Sequence, residues 1–222
     1  MVLKIILSVL PFVILIRYFY LRDRKDKEPL SMILFSFIFG IFLVFPAIVI
    51  ESIFSEIFEV LQIKQVYRAG LNGGMVEESL KFLTFIFFIY RNKNFDEPFD
   101  AIFYSVLISL GFAFLENIFY ITSYGMVVAF TRPFTAIPAH ALFGTVMGYF
   151  FMKAKFFHGK AIVYRIYIFL ALVIPVFLHF IYNFIVSLNL IFGEIVFVFL
   201  IVYLGILIEI AKKSMDESDR VV

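Results

Sequence analysis

The chain has 222 residues, of which 63% are hydrophobic and 20% aromatic, and its mean hydropathy is +1.02. This composition excludes a water-soluble globule, which needs a polar surface, and the formal net charge of +2 gives no indication of nucleic-acid binding. No cysteine is present, so disulfides and thiolate nucleophiles are excluded and any metal must be held by His, Glu, Asp or Asn.

Seven apolar segments each approach the roughly 20 residues that a membrane-spanning helix needs. They lie at 3–21, 30–50, 71–90, 99–123, 136–154, 163–187 and 190–211. We therefore predict an all-α, polytopic transmembrane helical bundle of about seven spanning helices. Residues 1–211 are expected to form a single integral-membrane domain, and residues 212–222 a polar cytoplasmic tail.

Lysine and arginine are concentrated on one side of this predicted bundle, after the first, third and fifth helices and in the tail. The opposite side has only Lys4, Lys64, Arg68 and Arg132. Because cytoplasmic segments carry the excess of positive charge, we predict a multi-pass plasma-membrane protein with its N-terminus outside and its C-terminus in the cytoplasm. Residues 51–62 are amphipathic and are interpreted as a helix in the outer interface, with a simple connector or a flap as the alternatives.

The third segment carries Glu77, Glu78 and Lys81 directly before the apolar run from Phe82 to Tyr90. A charge within a membrane span costs roughly a few kcal/mol even on lenient insertion scales, so these residues indicate chemistry rather than simple spanning. Glu77 and Lys81 are one helical turn apart and can pair, while Glu77 and Glu78 point about 100° apart. A structural Glu–Lys pair near a helix end is the alternative.

Three further helices place polar residues at a similar predicted depth, in the outer half of the membrane. The fourth helix carries Glu116 and Asn117, the fifth begins near His140, and one face of the sixth carries His179 and Asn183. The dipole at a helix N-terminus favours the neutral imidazole of His140. Unrelated snorkelling residues would scatter between the two interfaces, so this convergence predicts one site. Taken singly, each residue also fits a packing seam or a hydrogen-bonded core position.

This set of motifs resembles the PrsW family of intramembrane proteases. The matching stretches are Glu77-Glu78-x-x-Lys81, Asp96-Glu97-Pro98-Phe99-Asp100-Ala101, Phe112-x-x-x-Glu116-Asn117, His140 in Pro-Ala-His-Ala, and His179-x-x-x-Asn183. The CAAX-prenyl proteases and bacterial self-immunity proteins are wider relatives, but they usually have Glu-Glu-x-x-x-Arg and a histidine in place of Glu116. The resemblance implies a protease acting on a membrane-anchored protein, and the family's best-known activity is cleavage of the outer part of an anti-sigma factor.

Peptide hydrolysis needs an activated water, a stabiliser for the oxyanion and a proton donor to the leaving amine. A carboxylate in a partly apolar site is suited to take a proton from water and return it to nitrogen. We assign this role to Glu77 or Glu78, with a slight preference for Glu78 as the base and Glu77 as the partner of the supporting residue Lys81.

A metal-dependent and a metal-free version of this chemistry are both open at this point. Glu116, His140 and His179 are predicted to bind Zn²⁺, which would polarise the carbonyl and activate the water. Without metal, His179 and Asn183 would donate hydrogen bonds to the oxyanion. Asn117 is expected to support the site in either version.

The main alternative function is a cation or proton transporter, because intramembrane Glu, His and Asn residues also mark ion pathways. The cytoplasmic halves of the third to sixth helices are mostly Phe, Leu, Ile and Val, which argues against a continuous polar path. A non-catalytic scaffold would leave the cost of Glu77, Glu78 and Glu116 unexplained. The sequence therefore favours the protease.

Overall fold

The fold is known from a computed structural model, which describes residues 2–23, 27–157 and 159–187 together with residues 202, 205, 209, 210 and 213. Within these ranges the chain is helical and contains no strand. The helices are α1 Val2–Arg22, α2 Leu30–Val60, α3 Gln65–Asn72, α4 Glu78–Thr84, α5 Pro98–Tyr124, α6 Met126–Thr131, α7 Ala136–Phe156 and α8 Ala161–Ser187. Two π-helical segments flank α4. Gly73–Glu77 joins α3 to α4 and Phe85–Ile89 follows α4, so that residues 65–89 form one continuous helical stretch.

Three of the described helices are long and apolar enough to cross a membrane, namely α2 with 31 residues and α5 and α8 with 27 residues each. The predicted all-helical architecture is confirmed, whereas the count of about seven spans is not. The predicted seventh segment, 190–211, and the tail, 212–222, lie outside the described residues except for the five single positions.

The amphipathic stretch after the second predicted span is the last part of α2, and the expectation of a separate interfacial helix is not met. Residues 47–61 contain neither glycine nor proline, so nothing in the sequence stops the helix at the predicted end of the span. The helix ends only after Val60, and Gln62 then adopts a positive φ of 54°. Glu51 is therefore held on a regular helix.

The central helix is α5, in which residues 98–113 are all buried. Such all-round burial is typical of a helix packed on every side, and α5 lies against both α2 and α7. A Cβ at Gly144 would lie 2.8 Å from the backbone oxygen of Ser105, and one at Gly148 would lie 2.4 Å from that of Ala101. These two glycines, four residues apart on α7, therefore let α7 and α5 approach closely.

The helical stretch that contains the acidic pair packs against α8. A Cβ at Gly74 would lie 2.9 Å from the backbone oxygen of Val176, and one at Gly70 would lie 2.5 Å from the ring of Phe180. These glycines let the two backbones approach closely. Since α7 also packs on α8, the four helices that carry the polar motifs meet in one place.

Candidate active site

A cavity of about 520 Å³ lies where these helices meet. The sequence-predicted residues that line it are Glu77, Glu116, His140, His179 and Asn183. Other polar residues in its wall are Glu51, Asn72, Tyr120, Arg132, Tyr182 and Ser187. The convergence predicted from the sequence is therefore present, because these side chains share one cavity.

The ammonium group of Lys81 links the acidic pair to His140. Its Nζ lies 2.7 Å from Glu78 Oε1, 3.4 Å from Glu77 Oε2 and 3.0 Å from His140 Nδ1. An ammonium group has three donors and no acceptor, so Lys81 donates all three of these hydrogen bonds. The predicted pairing of Glu77 with Lys81 exists, but Glu78 is the closer partner.

The two histidines are held in opposite tautomers by these contacts. Because Lys81 donates to Nδ1 of His140, the proton of this imidazole is on Nε2, which lies 3.0 Å from Glu116 Oε2. His179 instead has Nδ1 3.0 Å from Glu78 Oε1, and a carboxylate only accepts, so its proton is on Nδ1. The lone pair of His179 Nε2 is thereby left for the cavity side.

The two adjacent glutamates differ in their surroundings. Glu78 is 0% exposed and contacts Lys81 and His179, whereas Glu77 is 6% exposed and lies in the wall of the cavity. Glu77 ends the π-helical segment Gly73–Glu77, a departure from regular helix that is frequent at functional sites. Asn72 precedes this segment, and Gly73 and Gly74 are its first two residues.

Arg132, which the sequence analysis treated only as a loop charge, belongs to the site. Its Nη2 lies 2.7 Å from Glu116 Oε2 and its Nε lies 3.2 Å from Asn117 Oδ1. Burial lowers the pKa of this guanidinium, but the Glu116 carboxylate outweighs burial and leaves the pKa above its ordinary value. No periodicity links Arg132 to Glu116, since the turn after α5 and the short helix α6 separate them.

A second polar contact joins α2 to the start of the π-helical segment. Asn72 Nδ2 donates to the backbone oxygen of Glu51 at 3.2 Å and to Ser55 Oγ at 2.7 Å. Glu51 itself lines the cavity. The sequence signal for this contact was weak, because Glu51 and Ser55 looked like the polar face of an interfacial helix.

The acidic motif before α5 lies apart from the cavity and serves to begin the helix. Glu97 is the N-cap residue, Pro98 follows it, and Asp100 completes a capping box. Asp100 Oδ2 accepts hydrogen bonds from the backbone N–H groups of Asp96 and Glu97 at 3.1 and 2.6 Å. A buried hydrogen bond from the Tyr104 hydroxyl to Glu28 ties this end of α5 to the loop before α2.

The residues at the cavity fit a metal ion, although with a different carboxylate from the predicted one. Glu77, His140 and His179 each offer a ligand atom within 4.8 Å of the other two, and one carboxylate with two imidazoles is a common set for catalytic zinc. A Cβ on Gly73 would lie 3.3 Å from Glu77 Oε1 and 3.4 Å from His179 Nε2, so glycine leaves room between them. Glu116 is instead held by Arg132 and His140.

Comparison with known proteins gives a consistent family. Residues 28–208 match the family described as PrsW family intramembrane metalloprotease. The chain is 40% identical over 176 residues to Protease PrsW of Geobacillus kaustophilus, covering 79% of this chain and 76% of the relative. It is 39% identical over 180 residues to Protease PrsW of Bacillus subtilis, covering 81% of each, and 34% identical over 220 residues to that of Shouchella clausii, covering 99% of each. No solved structure matches the chain.

Proposed function

Because the chain belongs to the PrsW family of intramembrane metalloproteases, and is therefore a membrane-associated hydrolase, we propose that it cleaves a peptide bond of a membrane-anchored protein near the extracytoplasmic side. The observation that carries the proposal is the buried Glu–Lys–His network beside the cavity that Glu77, His140 and His179 line. The transporter alternative finds no support in the comparisons.

We assign the role of general base to Glu77. Its position in the cavity wall would let its carboxylate take a proton from water and return it to the leaving amine. The sequence-based preference was for Glu78, but the full burial of that side chain and its two partners favour the opposite assignment.

Glu78 and Lys81 are proposed to orient the reacting groups. Glu78 accepts from Nδ1 of His179 and so fixes the ring with Nε2 toward the cavity. Carboxylates hold ligand and catalytic histidines in this way in many hydrolases. Lys81 keeps Glu77 and Glu78 beside each other despite their like charge.

Asn183 is the proposed donor to the oxyanion, and it lines the same cavity as Glu77 and His179. A Cβ at Gly73 would lie 2.5 Å from its Nδ2 atom, so the amide lies beside the carboxylate that activates the water. A preorganised donor at this point would stabilise the charge that develops on the carbonyl oxygen.

Where a metal is bound, Glu77, His140 and His179 are the residues that would hold it. The metal would supply Lewis-acid polarisation of the scissile carbonyl and a more acidic bound water. Glu77 would then be a ligand, so its role as general base belongs to the metal-free version. His140 would have to exchange one of its present partners, Lys81 or Glu116, to free a ring nitrogen for this purpose. Zinc is the proposed metal. In the metal-free version Asn183 would stabilise the oxyanion, and His179 would join it only as an imidazolium, because the Nδ1–H tautomer has no donor on its cavity side.

The family resemblance makes an anti-sigma factor the first candidate substrate. The test is to co-reconstitute the full-length protein in lipid vesicles with single-span anti-sigma factors of its own genome, each tagged at both ends. We expect two fragments with the wild type and none with Glu77→Gln or His179→Ala. The matched control is Glu56→Gln, which removes an exposed acid of α2 and should leave cleavage unchanged.

The fragment sizes and the metal content of the same samples complete the test. A cut on the cytoplasmic side of the substrate would contradict the proposed orientation or the proposed site, and full cleavage by Glu77→Gln would contradict the mechanism. Zinc near one per chain in the wild type, lost together with activity in His179→Ala, would support the metal-dependent version.

A further inference from the structure

Arg132 is the cation of the cavity wall that the proposed mechanism does not use. It comes from the connection between α6 and α7, and its side chain is only 12% exposed. We infer that Arg132 is a positioning residue of the active site: it holds Glu116 against His140 Nε2 and so, together with Lys81 at Nδ1, fixes the orientation of that imidazole and keeps its Nε2 proton hydrogen-bonded. The inference rests on the proposed function.

Three contacts fix the guanidinium on α5. Nη2 lies 2.7 Å from Glu116 Oε2, Nε lies 3.2 Å from Asn117 Oδ1, and the guanidinium carbon lies 3.9 Å from the centre of the Tyr120 ring. A planar guanidinium that is both hydrogen-bonded and stacked has one orientation. The connection before α7 is thereby attached to the helix that carries the Glu116-Asn117 motif.

Glu116 links the guanidinium of Arg132 to the imidazole of His140. A single oxygen, Oε2, accepts from Arg132 at 2.7 Å and from His140 Nε2 at 3.0 Å. With its proton held at Nε2, the imidazole presents the Nδ1 lone pair to Lys81 at 3.0 Å. The order of contacts is therefore Arg132, Glu116, His140, Lys81, and it ends at the ammonium that holds the two catalytic-site glutamates.

Without Arg132, Glu116 would lose the contact that turns it toward His140, because its side chain is 18% exposed and borders a cavity into which it can rotate. Removal of outer-shell partners of this kind typically costs about 10- to 100-fold in activity. We expect Arg132→Gln to lower kcat by that factor with little change in KM. Arg132→Lys should retain part of the activity. Its ammonium keeps the positive charge but cannot contact Asn117 and Glu116 through two separate nitrogen atoms, as Nε and Nη2 of the guanidinium do.

The competing role for Arg132 is direct contact with substrate, and a double-mutant cycle separates the two. If Arg132 acts through Glu116, Arg132→Gln should cost less than about threefold in the Glu116→Gln background, since the two residues work as a unit. A substrate contact would instead raise KM and remain additive with Glu116→Gln. The controls are Phe134→Ala in the same connection, whose side chain is 68% exposed, and Arg68→Gln, which removes another cation.

A readout that does not require substrate is the NMR spectrum of the imidazole nitrogens in lipid vesicles. The chain has only three histidines, so ¹⁵N-histidine labelling with His158→Gln and His179→Gln variants assigns His140. We expect a slowly exchanging proton on His140 Nε2 in the wild type and in Phe134→Ala, and its loss in both Arg132→Gln and Glu116→Gln. Spectra with and without EDTA distinguish a metal-bound nitrogen from a hydrogen-bonded one.

The inference is overturned if Arg132→Gln leaves the His140 signal as in the wild type, or if its kinetic cost is additive with that of Glu116→Gln. These outcomes differ from failure of the proposed function. A chain that cleaves no substrate would still show whether Arg132 keeps the His140 Nε2 proton hydrogen-bonded, and a Glu77→Gln variant that cleaves normally would leave the NMR result standing.

Discussion

At the scale of single residues, two adjacent glutamates of the same helix have different environments. Glu78 is fully buried and binds the nearest cation, Lys81, at 2.7 Å, while Glu77 is 3.4 Å from the same cation and faces the cavity. The first arrangement stabilises the buried ammonium, and the second leaves a carboxylate accessible to water. The two positions should therefore respond differently to the same substitution.

We predict that Glu77→Gln and Glu78→Gln both abolish most activity, but that only Glu78→Gln strongly destabilises the protein. Loss of a general base costs about 10²- to 10⁴-fold in rate. Removing one partner of a buried ion pair costs about 3–5 kcal/mol, because the remaining charge is left buried. Thermal unfolding of both variants in detergent, beside the peptide-cleavage rate, measures the difference; equal melting temperatures would contradict this division of roles.

At the scale of secondary-structure elements, the acidic motif is presented by the π-helical segment Gly73–Glu77 rather than by regular α-helix. Gly73 and Gly74 face different parts of α8. A Cβ at Gly73 would meet the side-chain end of Asn183 at 2.5 Å, while one at Gly74 would meet the backbone oxygen of Val176 at 2.9 Å. A side-chain end can rotate away, whereas helix backbone cannot.

These contacts predict that two neighbouring alanine substitutions affect different properties, one the activity and the other the stability. Gly73→Ala should displace Asn183 and crowd Glu77 and His179, and so lower kcat by about tenfold or more while the melting temperature changes little. Gly74→Ala should force α8 away and destabilise the bundle by about 1–3 kcal/mol, as overpacking does. Melting curves and single-turnover cleavage of both variants test this. A stable, fully active Gly73→Ala variant would argue against the assigned position of Asn183.

At the scale of the whole molecule, the cavity is placed by the packing of α5 between α2 and α7 and by the contact of α7 with α8. Arg132 and Phe134 lie in the connection that precedes α7, and Lys160 lies in the connection that follows it. The excess of lysine and arginine near the second connection predicts that it is cytoplasmic. The cavity would then open toward the outside.

The orientation of the chain in the membrane can be tested by labelling introduced cysteines, and no background labelling of the chain arises because it contains no cysteine of its own. Phe134→Cys should react with a membrane-impermeant maleimide in intact cells, and Lys160→Cys only after the cells are permeabilised, since both positions are exposed at opposite ends of α7. The reverse pattern of labelling would invert the predicted topology and move the proposed cleavage site to the cytoplasmic side.

The sequence by itself determined the features that depend on the free energy of placing a single residue in a membrane helix. Hydropathy identified a helical membrane protein, and the cost of burying charge singled out Glu77, Glu78, Lys81 and Glu116 without knowledge of their partners. Such features can be predicted from the sequence because each depends only on a residue and on the helix that carries it.

Only the tertiary structure decided which groups meet. The sequence did not reveal that Glu77 rather than Glu78 lines the cavity, that Glu77 rather than Glu116 lies with the two histidines, or that Arg132 holds Glu116. Each outcome depends on the rotation of a helix about its axis, which a π-helical segment or a short connection changes without altering the residue pattern. The partners of a buried charge are set by this rotation and by the crossing of neighbouring helices, neither of which is encoded in the spacing of a single segment.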